Sequence, residues 1–436
     1  MKIKDQHIFD LIKGGGINFI FYGSNLLIVY LLAIVIAKYY GADTYGRYST
    51  IKSLVMILII ITTLGLNTLA IKLGSDNSHY SKGKFKSNFV KKSYVILLFS
   101  SGIISCFLFL FKKEIAIHVF DDIKLEQYLT FFPLILVCAV FLNFNSNLFK
   151  GQKRVLLFSF ISSFLNNFIF IVALLIIFNW FSENEIYLIL SFLGSIIIAL
   201  VISVFKVFPI KKENIIDNIS IKKLISLSYP MMLSSSMIYI VFSVDTLMLA
   251  FFDISENVGI YRVVTQISTL NTIFLIVLGT VLGPKIAGLY FEGKKEEIKK
   301  VIAKGVKLIF IITVPLFLGI LIFSEHLLLF FGTEYLKGYH ALILLSTCQF
   351  LYAISGFVDL ILNMTGKQKV FGKITMISAG VNLIMNVILI PKYGITGAAV
   401  ATSFSILLTN ILAVLYIKKN MKIIAIYIPF IKNKLS

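Results

Sequence analysis

Apolar runs recur along the whole chain at the length that a bilayer demands. They lie at about 15–38, 50–73, 93–111, 128–149, 155–178, 187–208, 228–252, 264–290, 306–323, 341–363, 374–390 and 397–417. A helix needs about 20 mostly apolar residues to cross the hydrocarbon core. Within the runs the apolar positions are continuous, as in Val55–Ile61 and Leu308–Ile312. A membrane β-barrel would instead alternate apolar and polar residues in shorter segments. An open strand in lipid would leave backbone groups unpaired. The pattern therefore predicts an all-α polytopic membrane protein with twelve transmembrane helices.

Composition agrees. Of 436 residues, 58% are hydrophobic and 14% are charged, with a mean hydropathy of +0.92. Soluble domains carry about 25% charged residues. A soluble enzyme, a disordered protein and a nucleic-acid-binding domain are excluded, so nucleic acid is not an expected partner. The net charge of +20 reads as topology once the charges are located. Of the 41 lysines and arginines, 32 fall at the N-terminus, in every second loop after it, or after the last span. By the positive-inside rule, both termini are expected in the cytoplasm. The same cations would attract anionic membrane lipids. No cleavable signal peptide is expected. Cys106, Cys138 and Cys348 sit inside apolar runs and read as inert buried thiols, with no metal or disulfide spacing.

The chain also resembles itself. Tyr39–Tyr48 closes the first span and Phe252–Tyr261 the seventh; Gly46 and Tyr48 match Gly259 and Tyr261 at an offset of 213. Phe149–Val155 closes the fourth span and Met364–Val370 the tenth; Gly151 matches Gly366 at an offset of 215. Self-similarity at a fixed spacing marks internal repeats. Two six-helix halves are predicted, residues 1–210 and 211–436, joined by the basic linker of about 209–225. Six is even, so the halves share an orientation as parallel pseudo-two-fold repeats.

With these features in view, the chain resembles the polysaccharide transporter branch of the multidrug/oligosaccharidyl-lipid/polysaccharide exporter superfamily, the Wzx-type O-antigen flippases in particular. The residues that carry the resemblance are the G-A-D-x-Y-G-x-Y stretch Gly41–Tyr48, Asp245–Leu249 followed by Gly259–Tyr261, Pro284 before a basic loop, and Tyr393–Ala399. The resemblance implies two helical bundles around a central cavity. It implies that an undecaprenyl-pyrophosphate-linked oligosaccharide crosses from the cytoplasmic to the external leaflet of a bacterial inner membrane. Polysaccharide polymerase and chain-length proteins would be its partners. A multidrug antiporter of the same superfamily is the alternative. A membrane-embedded polymerase or ligase is a further one, disfavoured because the chain lacks a large external loop.

Charges inside spans are costly and mark functional candidates. Asp245 stands about seven residues from the external end of its run, roughly 10 Å deep at 1.5 Å per residue. It is read as a proton or sodium site, or as a gate that pairs with a cation in one state; the bland alternatives are a static ion pair or a carboxylate held protonated by burial. Asp359, near the cytoplasmic end of its run, either faces the pathway or reaches water as a helix-end carboxylate. Lys52 and Arg262 open their spans near the external side and either bind an anionic substrate group or snorkel. Lys285, after Pro284, is a candidate for meeting a pyrophosphate from the cytoplasmic leaflet. Arg47 is read as a surface loop residue. Amides recur within the spans, among them Asn25, Asn67, Asn143, Asn145, Gln266, Asn271, Asn382 and Asn386. They either line a sugar pathway or bond between helices; Asn25, Asn145, Gln266 and Asn271 are taken as pathway candidates. His7, His79, His118, His326 and His340 lie outside the runs, and no phosphate-binding glycine loop occurs. No resident cofactor is expected; energy would come from an H+ or Na+ gradient, downstream lipid consumption or a partner.

Overall fold

The computed structural model describes residues 2–75, 87–152, 154–180, 184–207 and 220–421. Most of the linker at 209–225, part of the basic loop around Lys82–Lys86 and the last lysines lie outside them. Among the described residues every regular element is helical. In chain order the principal helices are α1 (Lys2–Thr63), α2 (Leu66–Ser75), α3 (Ser87–Leu110), α4 (Leu125–Gly151), α5 (Asn166–Trp180), α6 (Glu185–Val207) and α7 (Ile221–Phe252). They continue with α8 (Ser255–Thr269), α9 (Ile273–Phe291), α10 (Lys295–Ile322), α11 (Tyr339–Ile354), α12 (Val358–Met364) and α13 (Gln368–Met421).

Eight helical stretches in the described residues are long and apolar enough to cross a membrane, or nine when the bent pair Thr333–Ile354 and Val358–Met364 counts as one. This is a multi-pass membrane protein. Its large apolar side chains lie open to the surroundings, Phe205 at 74% and Ile103 at 69% exposure, as suits a lipid-facing surface and no aqueous one.

Two expected loops are continuous helix instead. The connection between the first two runs lies within α1, and that between the last two within α13. Each is broken at one residue, Gly41 (φ 79°) and Gly394 (φ 50°). Only glycine takes those angles without steric cost, so one residue turns the chain where a loop was expected. The opposite happens at Leu351–Asp359. One run was expected, but α11 stops at Ile354 and α12 starts at Val358, with Gly356 at φ 79° between them.

The chain divides into two compact units, Met1–Ser243 with Ile254–Glu256, and Val244–Asp253 with Asn257–Ser436. In the first, α4 is the central helix; Leu129, Phe132, Ile135, Leu136, Val140, Phe144 and Phe149 are all fully buried. Tyr48 adds an aromatic cluster, with ring centres 5.2 Å from Phe192 and 5.6 Å from Phe170. In the second unit the core joins Ile286, Ile302, Ile309, Ile361 and Ile417 from α9, α10, α12 and α13, with Phe357 from the break before α12. Cys138 and Cys348 are buried as expected, but Cys106 is exposed. Its helix, α3, also presents Phe99 and Ile103 outward, so the thiol sits on an apolar outer face.

Candidate functional site

Asp245 lies on α7, eight positions from Asp253, and is 7% exposed. An apolar run places it inside the unit, and two other helices supply its partners. Asn386 Nδ2, from α13, donates to Oδ1 at 2.6 Å. Thr402 Oγ1, beyond the Gly394 break on the same helix, donates to Oδ2 in a short bond. Tyr261, from α8, donates its hydroxyl to Oδ2 at 3.5 Å and sits 3.0 Å from Thr402 Oγ1. Asn386 also donates to Asn382 Oδ1 at 3.0 Å, one helical turn away. The break at Gly394 is what allows one long helix to present residues 382, 386 and 402 to the same carboxylate.

All of these partners are neutral. Among the described residues no lysine or arginine pairs with Asp245, which removes the static ion pair. A carboxylate beside two amide oxygens and a hydroxyl is a donor set for a hard cation, which prefers oxygen ligands. One detail favours that use. Asn386 Oδ1 is buried with no hydrogen-bond partner among the described residues, and buried acceptors are rarely left so. Rotation of that amide turns its oxygen toward the carboxylate, where a cation would accept it. Protonation of the carboxylate would satisfy the same site in another way.

The other candidates are not gathered around Asp245. Asp359 is half-buried in the first turn of α12, directly after the break at Gly356; there the helix dipole favours a carboxylate. Arg262 is half-buried and makes no ion pair among the described residues. Lys285 is exposed on α9, and Gln266 is half-buried on α8. In the first unit, Lys52 has Nζ 5.7 Å from the centre of the Tyr48 ring. Asn25 accepts a bond from Asn167 at 2.8 Å. Asn145 is fully buried between Tyr94 (2.6 Å) and Ser203 (2.9 Å). Asn271 is fully buried and donates to the backbone of Ser268 and Ser346.

Arg47 is not a surface residue. It is 5% exposed and joins three connecting segments of the first unit. Its Nε donates to Asp122 Oδ2 at 2.7 Å, and Nη1 donates to both oxygens of Glu185, at 2.9 and 3.2 Å. Asp43, one turn before it, is 3.7 Å away. Ser255 donates to the same Asp122 oxygen at 2.6 Å, and Tyr128 donates to Glu185 at 3.4 Å. Asp122 is held by an Asx turn onto the Lys124 N–H at 3.0 Å. Glu185 occupies the first turn of α6, where the dipole favours it.

The long apolar helices define a multi-pass helical membrane protein, and the buried carboxylate with neutral partners is its candidate site. The comparisons then fix the family: residues 11–289 match the family model described as "Polysaccharide biosynthesis protein", and residues 230–388 match the MatE model. The chain belongs to the polysaccharide biosynthesis protein family, within the multidrug/oligosaccharidyl-lipid/polysaccharide exporter superfamily.

Among curated relatives, a "Probable low-salt glycan biosynthesis flippase Agl15" of Haloferax volcanii is 27% identical over 41% of this chain and 38% of its own length. The "Probable flippase AglR" of the same organism is 28% identical over 39% and 36%. This chain thus spans under two fifths of the length of either. A "Capsular polysaccharide biosynthesis protein CapF" of Staphylococcus aureus is 24% identical over 89% and 95%. Among solved structures, the lipid II flippase MurJ in an inward closed conformation covers 95% of this chain and 90% of its own at 15% identity, with a TM-score of 0.74. An inward-facing multidrug resistance MATE family transporter covers 92% and 94% at 14% identity, with a TM-score of 0.70. At such identities these two structures speak for the fold alone.

Proposed function

We propose that the protein is a flippase for lipid-linked oligosaccharide. It moves undecaprenyl-pyrophosphate-linked repeat units from the cytoplasmic to the external leaflet, for O-antigen or another surface polysaccharide, by alternating access and without catalysis. The observation that carries this reading is the family match over residues 11–289, supported by relatives named as glycan flippases. The proposal includes twelve spans in two parallel halves, residues 1–210 and 211–436, with both termini cytoplasmic in the inner membrane. Anionic lipids, a polymerase and chain-length proteins are its proposed partners. Asp245, with Asn382, Asn386, Thr402 and Tyr261, is the proposed seat of a coupling H+ or Na+. Of the remaining candidates, Arg262 and Lys285 are kept as contacts for the pyrophosphate.

Deletion of the gene tests this directly. Long surface glycan should disappear, and lipid-linked repeat units should accumulate on the cytoplasmic side. The MatE match over 230–388 favours a second reading, an ion-coupled multidrug antiporter. A deletion strain with normal glycan and hypersensitivity to cationic dyes would select it.

Topology has its own check. Reporter fusions after Asn184 and Asn257 should read external, and fusions after Lys84, Asn214 and Lys295 cytoplasmic. Reversal at two of these sites would sink the orientation, because one distribution of cations sets all of them.

A further inference from the structure

Helices α2 and α4 touch through glycine. A Cβ on Gly74 would overlap the backbone of Gly151, a small-residue contact typical of membrane helix pairs. The contact sets their register. Asn67 and Asn143 lie seven and eight residues before these glycines, about 10–12 Å along each helix. At that level Asn67 Nδ2 donates to Asn143 Oδ1 at 2.6 Å. Asn147, one turn further, donates to the backbone carbonyl of Asn143 at 2.8 Å and to its Oδ1 at 3.2 Å. All three asparagines are half-buried rather than buried.

Their remaining groups are unused. Asn67 Oδ1 also has no hydrogen-bond partner among the described residues, but that atom is buried and out of a ligand's reach. Asn143 Nδ2 and Asn147 Oδ1 likewise enter no hydrogen bond there. The two sides of α4 also differ. At 100° per residue, Asn143, Asn147 and the exposed Lys150 continue, over the last turns of α4, the stripe that Leu129, Phe132, Leu136 and Val140 occupy fully buried before them, and Leu134, Val137 and Phe141 share the opposite side. A half-exposed leucine, valine and phenylalanine suit lipid. Half-exposed amides with free donors and acceptors do not, because hydrocarbon leaves them unpaired. The amide stripe therefore faces water at a depth within the bilayer.

We propose that Asn143 and Asn147, with Asn67 holding the Asn143 amide in place, form a carbohydrate-contact stripe, which reads the neutral, hydroxyl-rich sugar of a lipid-linked oligosaccharide. This rests on the flippase reading and deepens it. Each sugar hydroxyl both donates and accepts, and a primary amide offers two donors and an acceptor in a fixed plane. The free donor of Asn143 and the free acceptor of Asn147, on adjacent turns, complement a pair of neighbouring hydroxyls. A cationic drug would find no carboxylate in the stripe to pair with.

The test uses the full chain in nanodiscs, with two probes read by native mass spectrometry. One is sugar-free undecaprenyl pyrophosphate. The other is the lipid-linked oligosaccharide extracted from a strain deleted for this gene. Wild type should prefer the glycosylated probe. Asn147→Ala, which leaves the Asn67–Asn143 bond intact, should lower that preference about tenfold, as loss of one or two hydrogen bonds does, with sugar-free binding unchanged. Asn143→Ala should do at least as much. Asn147→Cys should also react with a water-soluble maleimide much faster than Leu134→Cys on the opposite side. Variants that bind both probes as wild type does, or lose both in parallel, overturn the stripe and leave the flippase reading standing; so does equal labelling of the two cysteines. A wild-type protein that binds neither probe overturns the flippase reading and takes the stripe with it.

Discussion

Arg47→Met should destabilise the protein by about 2–4 kcal/mol. The methionine keeps most of the apolar stem and removes the guanidinium, so Asp122 and Glu185 lose a shared partner. Breaking a buried ion pair from one side costs about 3–5 kcal/mol, because a charge is left uncompensated. Here the carboxylates retain 13% and 27% side-chain exposure, which lowers the cost. Ser255 and Tyr128 still reach them. Arg47→Lys should recover only part of the loss, since one ammonium cannot make the two-oxygen contact to Glu185 while also reaching Asp122. Adding Asp122→Asn to Arg47→Met should restore some stability, by a coupling of at least about 0.5 kcal/mol. Thermal and denaturant unfolding of the detergent-purified variants measures all three. An Arg47→Met protein as stable as wild type would mean that the cluster contributes nothing net.

That cluster also marks where the sequence stopped being readable. Arg47 looked like a loop residue because Tyr39–Tyr48 joins two apolar runs. Its partners stand 75 and 138 positions away, and no local pattern announces a pairing at such range. Only the costliness of charge near a membrane hinted that Arg47 needed one. Asp245 was legible for the same reason turned around, since an acid deep in an apolar run demands an explanation. Two of its partners, Asn382 and Asn386, were visible as amides one turn apart. Thr402 and Tyr261 were not, because a membrane threonine can satisfy itself on its own helix backbone and a tyrosine passes for an interfacial ring. The break before Asp359 had a signal in Ser355-Gly356, outweighed by the apolar residues around it. Asn145 and Asn147 are two positions apart, yet one is buried and the other half-exposed. Helical phase alone does not say which side of α4 meets a neighbour, so the sequence singled out Asn145 and passed over Asn147.

Asp245→Asn should abolish most transport while the protein still inserts at normal levels. The substitution keeps the shape and the hydrogen-bonding plane but removes the charge. Asn386 Nδ2 and Thr402 Oγ1 donate to Asp245, and an amide at 245 can accept from only one of them through its oxygen. Its nitrogen then faces the Thr402 hydroxyl, which must turn from donor to acceptor. A static structural role would therefore show first as lost stability, whereas a coupling role shows as lost transport in protein that folds and unfolds normally. Reconstituted vesicles separate the two, with flipping of lipid-linked oligosaccharide followed at varied Na+ and pH. Wild type should respond to one of these ions, and Asp245→Asn should respond to neither, with a rate at least about tenfold lower, a barrier change of roughly 1.4 kcal/mol. Asp245→Glu should retain part of the rate, because the charge survives with one methylene of displacement. Thr402→Val, which removes a ligand oxygen but no charge, should weaken the ion dependence and spare the maximal rate at high ion concentration. Leu249→Ala should match none of these, since it alters only packing on the same helix. If Asp245→Asn flips substrate at the wild-type rate with the wild-type ion response, the carboxylate has no part in coupling, and Asp359 becomes the acid to test next.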